Sequence, residues 1–358
     1  MFKKAFITLC LLMVLVFLST ACGQSQSGGE VKEETSNSVA TQSQEKTEAP
    51  KIELPKGGNV PAVEQLSEKP LRIAFLSFQN NPFWFPIRDG AAAAKEYLEN
   101  FNCTIDYTVL GEDLSAEKVI AGIEAAVTKQ YDGIVVVPVF DGTEIAIDKA
   151  VDAGIPVITF CAEGSKPSKR MLLYGQDMYK AGELAGKLIV EKMGGKGKLG
   201  VITGFFGATS HELRKNGALD YIKKNAPDIK IVGEYENKDK AEVAYSLTKD
   251  MLTANPDLTM VYVTAGGPFG AAKAIEDSNL TGKAFVVAYD HIPDNLKYVK
   301  SGQICGLINQ DPFGQGFDTN VLMYNYLVTG QKPESDFYET KLDVATPENV
   351  MQMYPDLK

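Results

Sequence analysis

Residues 133–139 read GIVVVPV, an unbroken apolar run that is rich in β-branched side chains. Such a run is typical of a strand with both faces buried, as in a parallel sheet that is covered by helices. A helix is predicted just before it, because Ser115 is a good N-cap and Val119, Ile123 and Val127 then fall on one helical face. A helix followed by a buried strand predicts the α/β class.

The alternation of helix and strand continues on both sides of this run. In the first half of the chain, further strands are predicted at residues 72–78, 104–110 and 155–160. After Tyr174 the pattern starts again, with strands predicted at residues 198–203, 229–235, 260–264 and 284–289. Two successive sets of parallel units predict two Rossmann-like lobes. Such sheets bind ligands beyond the carboxyl ends of their strands, so the cleft between the lobes is the predicted site.

The N-terminus carries the signature of an export signal. Lys3 and Lys4 precede an apolar run at residues 5–18, which is short for a membrane span but typical of a signal peptide. Small residues and then Cys22 follow, an order that resembles the bacterial lipobox, in which the cysteine is lipidated. Residues 1–21 are therefore predicted to be a cleaved signal peptide. An ordinary signal with a coincidental cysteine and a membrane-spanning anchor are the alternatives.

Residues 22–70 differ from the rest of the chain in composition. They are rich in Ser, Gln, Glu, Lys, Thr, Gly and Pro and contain few large apolar side chains. Such a segment cannot bury enough apolar surface to offset the entropy lost on ordering. We therefore predict a flexible tether that holds the folded part, lipid-anchored through Cys22, at the extracytoplasmic face of a bacterial membrane.

Composition and motifs exclude several classes of function. Lys and Arg number 36 against 46 Asp and Glu, so the formal net charge is −10. This balance disfavours nucleic-acid binding and electrostatic attachment to an anionic membrane. With two histidines, five scattered cysteines and no CxxC or HExxH motif, no metal site is predicted. The absence of P-loop, GxSxG and GxGxxG motifs favours a protein that is not an enzyme and needs no cofactor.

The segment after the first predicted strand, residues 79–85, reads QNNPFWF. Amides beside aromatic rings suit a carbohydrate, since rings stack on the apolar C–H face of a sugar and amides hydrogen-bond its hydroxyls. Trp84, the single tryptophan of the chain, is therefore a candidate ligand contact. The alternative is that the aromatic residues are core anchors and that Asn81 begins a turn into the helix.

A series of sequence phrases extends this interpretation over the folded part of the chain. In order they are IAFLSFQNNPFW, DGAAAA, YDGIVVVPVFD, AVDAGIPVITF, GQDMYKAG, VVAYD and GLINQDPFGQG. Together they resemble the ribose- and galactose-type periplasmic sugar-binding proteins, a superfamily that includes the ligand domains of lac-repressor-type regulators. The resemblance implies a type I periplasmic binding protein, in which three hinge crossovers join two α/β lobes that close around one sugar without catalysis. It implies a first lobe of residues 71–174 and 311–338 and a second lobe of residues 175–310 and 339–358.

The resemblance also implies individual ligand contacts. Asn81, Phe83 and Trp84 match the family's first-lobe binding segment. Asp290 matches an aspartate that accepts hydrogen bonds from sugar hydroxyls, although a helix N-cap is its alternative role. Gln310 matches a glutamine at a hinge crossover whose amide reaches the sugar.

Other positions depart from the ribose-type pattern. Cys161 and Ala162 occupy the positions at which that pattern has an Asp-Arg pair that binds sugar hydroxyls. This departure argues against ribose as the ligand. The spacing to Gly217 makes Arg214 the family's structural arginine, so that His211 or Glu212 would face the cleft. Four further candidates, each with a surface or helix-capping position as the alternative, are Asp177, Glu163, Glu212 and His211.

Taken together, these features predict a lipid-anchored receptor that delivers a monosaccharide to an ABC importer. The sugar would bind the closed arrangement of the lobes better than the open one and so shift the population toward it. The alternative is a co-receptor whose closure is sensed by a membrane histidine kinase or chemoreceptor. A nucleoside or an autoinducer is the alternative ligand.

Overall fold

The computed structural model describes residues 51–78, 82–112 and 115–358. The first half of this part alternates strands and helices. In chain order the elements are β1 (Leu71–Ser77), α1 (Trp84–Glu99), β2 (Cys103–Val109), α2 (Ala116–Thr128), β3 (Gly133–Val136), α3 (Thr143–Asp152), β4 (Val157–Cys161) and β5 (Leu172–Gly175).

The second half repeats the alternation and then returns to the first sheet. In chain order the elements are α4 (Met178–Met193), β6 (Lys196–Thr203), α5 (Thr209–Asn225), β7 (Asp228–Glu236), α6 (Ala241–Ala254), β8 (Leu258–Val263), α7 (Pro268–Asp277), β9 (Phe285–Tyr289), α8 (Pro293–Lys300), β10 (Ile304–Ile308), α9 (Pro312–Thr329), β11 (Phe337–Glu339), β12 (Val344–Ala345) and α10 (Val350–Met353).

Within the described residues, these strands form two six-stranded sheets, one in each lobe. The strand order is β11-β5-β4-β3-β1-β2 in the first sheet and β12-β10-β9-β8-β6-β7 in the second. All pairings of the first sheet are parallel, and in the second sheet the pairing of β12 with β10 is antiparallel. The prediction of two α/β lobes is confirmed.

The apolar run that begins with β3 lies at the centre of the first sheet, between β1 and β4. Residues 134–137 are fully buried, as expected for a parallel strand with helices on both faces. The second sheet is equally covered, and its central strands contribute Val261 and Val287, both without exposed surface. Each lobe therefore has its own core and holds its strand ends in a fixed arrangement.

The chain crosses between the two sheets three times. The crossovers are residues 175–178, between β5 and α4, residues 308–312, between β10 and α9, and residues 339–344, between β11 and β12. Hydrogen bonds join them: Thr340 N donates to Gly175 O at 2.8 Å, and the side-chain amide of Gln176 donates to Asn309 O. The three connections thus lie side by side along one edge of the cleft.

The end of the predicted tether is not free in the structure. The backbone N–H groups of Asn59 and Val60 donate to Oδ1 of Asp318 at 2.8 and 2.9 Å, and Val63 N donates to Asn325 Oδ1 at 2.9 Å. Asp318 lies on α9 and is fully buried, so its carboxylate requires such donors. The prediction of a flexible tether up to residue 70 is therefore wrong for residues 59–63.

The predicted signal peptide, Cys22 and the tether before residue 51 lie outside the described residues. In the part of the chain that the structure describes, no helix is long and apolar enough to cross a membrane.

Candidate ligand-binding cleft

A cavity of about 300 Å³ lies between the carboxyl ends of the two sheets. Its wall is formed by the segments that follow β1, β3 and β4 in the first lobe and β6 to β9 in the second, together with a hinge crossover. This is the position in which parallel sheets bind their ligands. The volume lies at the lower end of the range for small-molecule pockets, roughly 300–1,000 Å³, which suits a compact ligand.

Phe83 and Trp84, two of the candidate ligand contacts, begin the first helix and line the cavity. Trp84 is only 5% exposed and belongs to the core of the first lobe. Its ring packs edge-on against Phe83, with centroids 5.2 Å apart, and against Phe160 at 6.5 Å. Trp84 is therefore both a core anchor and part of the cavity wall. Asn81, predicted beside it, lies outside the described residues.

The remaining first-lobe wall is apolar. Val137 and Val139 follow β3, and Cys161 and Ala162 stand at the end of β4. Burial raises the pKa of the Cys161 thiol to about 12, so this side chain stays uncharged at neutral pH. This part of the wall presents hydrocarbon and a neutral thiol to the cavity.

Asp290 occupies the centre of the second-lobe wall, directly after β9. It is 6% exposed, and its carboxylate accepts a hydrogen bond from the side-chain amide of Gln310, the hinge glutamine predicted to reach the ligand. The N-cap of α8 is Ile292, so Asp290 does not cap that helix. Burial raises the pKa of Asp290 to about 6, although the charge of Arg214 and the Gln310 hydrogen bond both lower it.

Arg214, identified from the sequence as the structural arginine, also lines the cavity. Its Nη1 donates to Thr264 O at 3.1 Å and its Nη2 to Gln176 Oε1 at 3.0 Å. The guanidinium lies 4.0 Å from the ring centroid of Tyr289. The side chain is 3% exposed and is thus held rigidly, with a cationic group inside the cleft.

His211, one of the two residues expected to face the cleft, lies one turn before Arg214 on α5 and lines the cavity. Its Nδ1 accepts a hydrogen bond from Phe205 N at 3.1 Å, and burial lowers its pKa, so the ring is neutral. Glu212 points elsewhere, because successive helical residues are rotated by about 100°. It pairs with Lys215 Nζ at 2.8 Å and is not part of the cavity wall.

Two further candidates from the sequence make structural contacts outside the wall. Glu163 Oε1 accepts a hydrogen bond from Thr159 Oγ1 and pairs with Arg170 Nε, both at 2.6 Å. Asp177 caps α4, where its carboxylate accepts a hydrogen bond from Lys180 N at 3.0 Å. The structure therefore does not bring either carboxylate into the cavity.

Sequence reasoning missed a polar cluster that follows β7. Asp239 and Lys240 line the cavity, and Asp239 Oδ1 accepts a hydrogen bond from Gly266 N at 2.9 Å. The rule that placed the other candidates, examination of the residues after each strand, identifies this segment as well. On the same side of the cavity, Phe269 provides an aromatic ring from the start of α7.

Among residues 51–78, 82–112 and 115–358, no group of three or more His, Cys, Asp or Glu side chains is arranged to hold a metal ion. The polar groups of the cavity wall are instead suited to hydrogen bonding. Asp290 and Asp239 offer acceptors, while Arg214 and Lys240 offer donors. This combination complements hydroxyl groups, which both donate and accept.

The chain is similar to several known proteins. The D-allose-binding periplasmic protein of Escherichia coli is 24% identical over 65% of this chain and 76% of that protein. The ribose import binding protein of Salmonella typhimurium is 26% identical over 66% of this chain and 78% of that protein. A crystal structure of an ABC transporter solute-binding protein from Burkholderia graminis, in complex with D-arabinose, matches with a TM-score of 0.73 and 25% identity, over 82% of this chain and 99% of that chain. Residues 73–332 match the family described as the periplasmic binding protein domain, and the chain belongs to that family.

Proposed function

We propose that the protein is an extracytoplasmic receptor that binds a monosaccharide between its two lobes and delivers it to an ABC importer. One observation carries the proposal: Asp290 and Arg214 are buried in the wall of a small cavity that also contains the rings of Phe83 and Trp84. A sugar has the matching surfaces, since its C–H face packs on rings and its hydroxyls bind charged groups.

The hydrogen-bonding capacity of the wall supports a ligand with several hydroxyls. An ionised Asp290 only accepts hydrogen bonds, whereas Arg214 only donates them. A hydroxyl of the ligand can donate to the first and accept from the second. Gln310 offers both an amide donor and a carbonyl acceptor, and it holds the Asp290 carboxylate through the donor. A neutral His211, whose Nδ1 already accepts from Phe205 N, adds a donor at Nε2.

The distribution of the wall over both lobes supports closure as the mechanism. A ligand that touches Trp84 in the first lobe and Asp290 in the second binds the closed arrangement better than an open one. It therefore shifts the population toward the closed state. The three crossovers are the segments about which the lobes would rotate. The closed receptor would then dock on the importer.

The anchoring of the receptor rests on its sequence. We propose that residues 1–21 are removed, that Cys22 carries the lipid, and that the polar segment before residue 51 is the tether. The folded part would then lie on the extracytoplasmic side, within reach of a permease. The relatives named as an import binding protein and as a transporter solute-binding protein support transport as the role. We propose that no chemical change of the ligand occurs.

A panel of sugars tests the proposal. The fluorescence of Trp84, the single tryptophan, and the melting temperature of residues 51–358 would be recorded with pentoses, hexoses, inositols and nucleosides. We expect one monosaccharide to give a saturable change in emission and a raised melting temperature. A response to nucleosides alone, or to none of these compounds, would refute the assignment of a sugar.

A further inference from the structure

One part of the cavity wall contains no polar side chain. It is formed by Val137, Val139, Cys161 and Ala162, at the ends of β3 and β4. Val137 is fully buried, and Val139 and Ala162 are each 6% exposed. We call these four residues the apolar patch.

The polar side chains nearest to the apolar patch in sequence are engaged outside the cavity. Asp141 accepts hydrogen bonds from the backbone N–H and the hydroxyl of Ser165, at 2.5 and 2.7 Å. Glu163 is held by Arg170 Nε at 2.6 Å and by the hydroxyl of Thr159. Neither carboxylate lines the cavity. A ligand hydroxyl that faces the apolar patch would therefore find no side-chain carboxylate there.

The charged side chains of the described wall all lie on the opposite side. Arg214, Asp239, Lys240, Glu242 and Asp290 belong to the segments that follow the strands of the second sheet. Among the described residues, the charged groups that could bind the hydroxyls of a sugar therefore come from the second-lobe side of the cavity. Charged side chains thus line the second-lobe side of the cavity, whereas aliphatic side chains and the Cys161 thiol form the apolar patch.

A hydroxyl buried against hydrocarbon loses its hydrogen bonds to water and gains none in return. A hydrogen or a methyl group at the same position of the ligand avoids this penalty and gains from burial. On this basis, and given that the ligand is a monosaccharide as proposed above, we propose that the receptor is specific for a deoxy sugar. The edge of the sugar that lacks a hydroxyl packs on the apolar patch, and its remaining hydroxyls face the second lobe.

Matched pairs of sugars test this specificity. Isothermal titration calorimetry of residues 51–358 would compare each deoxy sugar with its parent: D-fucose with D-galactose, L-rhamnose with L-mannose, and 2-deoxy-D-ribose with D-ribose. We expect at least one deoxy sugar to bind tenfold or more tightly than its parent, as the loss of an unpaired buried hydroxyl requires. Parents that bind as tightly as their deoxy partners, or more tightly, would overturn the specificity while leaving a sugar receptor. Failure of every sugar to bind would overturn the proposed function itself.

A variant of the apolar patch provides a second readout. Val139→Thr replaces one methyl group with a hydroxyl at nearly constant volume. It should reduce the preference for the deoxy sugar over its parent severalfold, because the parent gains a hydrogen-bonding partner. Val109→Thr, the same change at a position 44% exposed on β2, is the matched control and should leave the ratio of affinities unchanged. An unchanged ratio of affinities in Val139→Thr would contradict the proposal that the deoxy edge of the sugar packs on the apolar patch. The specificity itself is decided by the sugar pairs measured with the wild-type chain.

Discussion

The buried carboxylate of Asp290, a proposed ligand contact, should lower the stability of the protein. Burial raises its pKa to about 6 from the ordinary value of 3.8, against the opposing influence of Arg214 and Gln310. A carboxyl whose pKa is raised on folding contributes stability that is fully present below pH 4 and is lost as the pH rises through 6. The unliganded receptor should therefore become less stable over this range on account of Asp290.

The size of the effect follows from the difference between the two pKa values. About two units correspond to about 3 kcal/mol, which is the upper limit of what ionisation of Asp290 removes from the free energy of unfolding. Asp290→Asn removes this charge and keeps an oxygen that can accept from Gln310. Asn also tolerates the φ of 76° at this position. The variant should gain up to about 3 kcal/mol at pH 7.5 and little at pH 4.

Urea denaturation of the unliganded wild type and of Asp290→Asn, at pH 4 and pH 7.5, measures the gain. Ligand affinity, measured by titration calorimetry at pH 7.5, should fall by at least tenfold, because the hydrogen bonds to the carboxylate are charge-assisted. Asp294→Asn, a change of the same kind at an exposed position of α8, is the control and should alter neither quantity appreciably. A variant that is no more stable than the wild type at pH 7.5 would refute the reasoning on burial. Undiminished affinity would refute the role of Asp290 in binding.

Three other changes test separate parts of the structure. Trp84→Ala should lower the free energy of unfolding by about 3–5 kcal/mol, in addition to weakening binding, because the ring is 5% exposed. A loss below about 1 kcal/mol in urea denaturation would support the sequence-based view that Trp84 serves the ligand alone. Gln176→Leu should weaken sugar binding several-fold in calorimetry, since Gln176 joins the second crossover to Arg214; unchanged affinity would contradict this positioning role. Removal of residues 51–70 should lower the free energy of unfolding by at least about 1–3 kcal/mol, because buried Asp318 loses the donors of Asn59 and Val60. Equal stability of the chains that begin at residues 51 and 71 would show that this contact contributes nothing.

The fold could be predicted because its signals are local. The GIVVVPV run and the helical faces on either side of it specify strand and helix within short windows, and their alternation specifies parallel sheets. The position of the cleft follows from the same rule, since the carboxyl ends of parallel strands share one edge. Phe83, Asp290 and Gln310 could be located in this way because each follows a strand closely.

The details that could not be predicted depend on contacts between distant parts of the chain. Glu163 turns away from the cavity because Arg170, in the loop before β5, pairs with it. The sequence around Asn59 has the composition of a tether. Its backbone is nevertheless held in place, because it donates to buried Asp318 on α9, far away in the sequence. Arg214 enters the cleft because the start of α5 sets which helical face is turned inward, and helix ends are the least certain part of a sequence-based assignment.

The central claim is that a monosaccharide binds between the two lobes with its hydroxyls on the second. A crystal structure of residues 51–358 with the tightest-binding sugar of the panel tests it most directly. The account predicts the sugar in the cavity, with hydroxyls within hydrogen-bonding distance of Asp290 and Arg214 and its ring beside Trp84. A sugar bound outside this cavity, or one whose hydroxyls face Val137 and Val139 instead, would contradict the account.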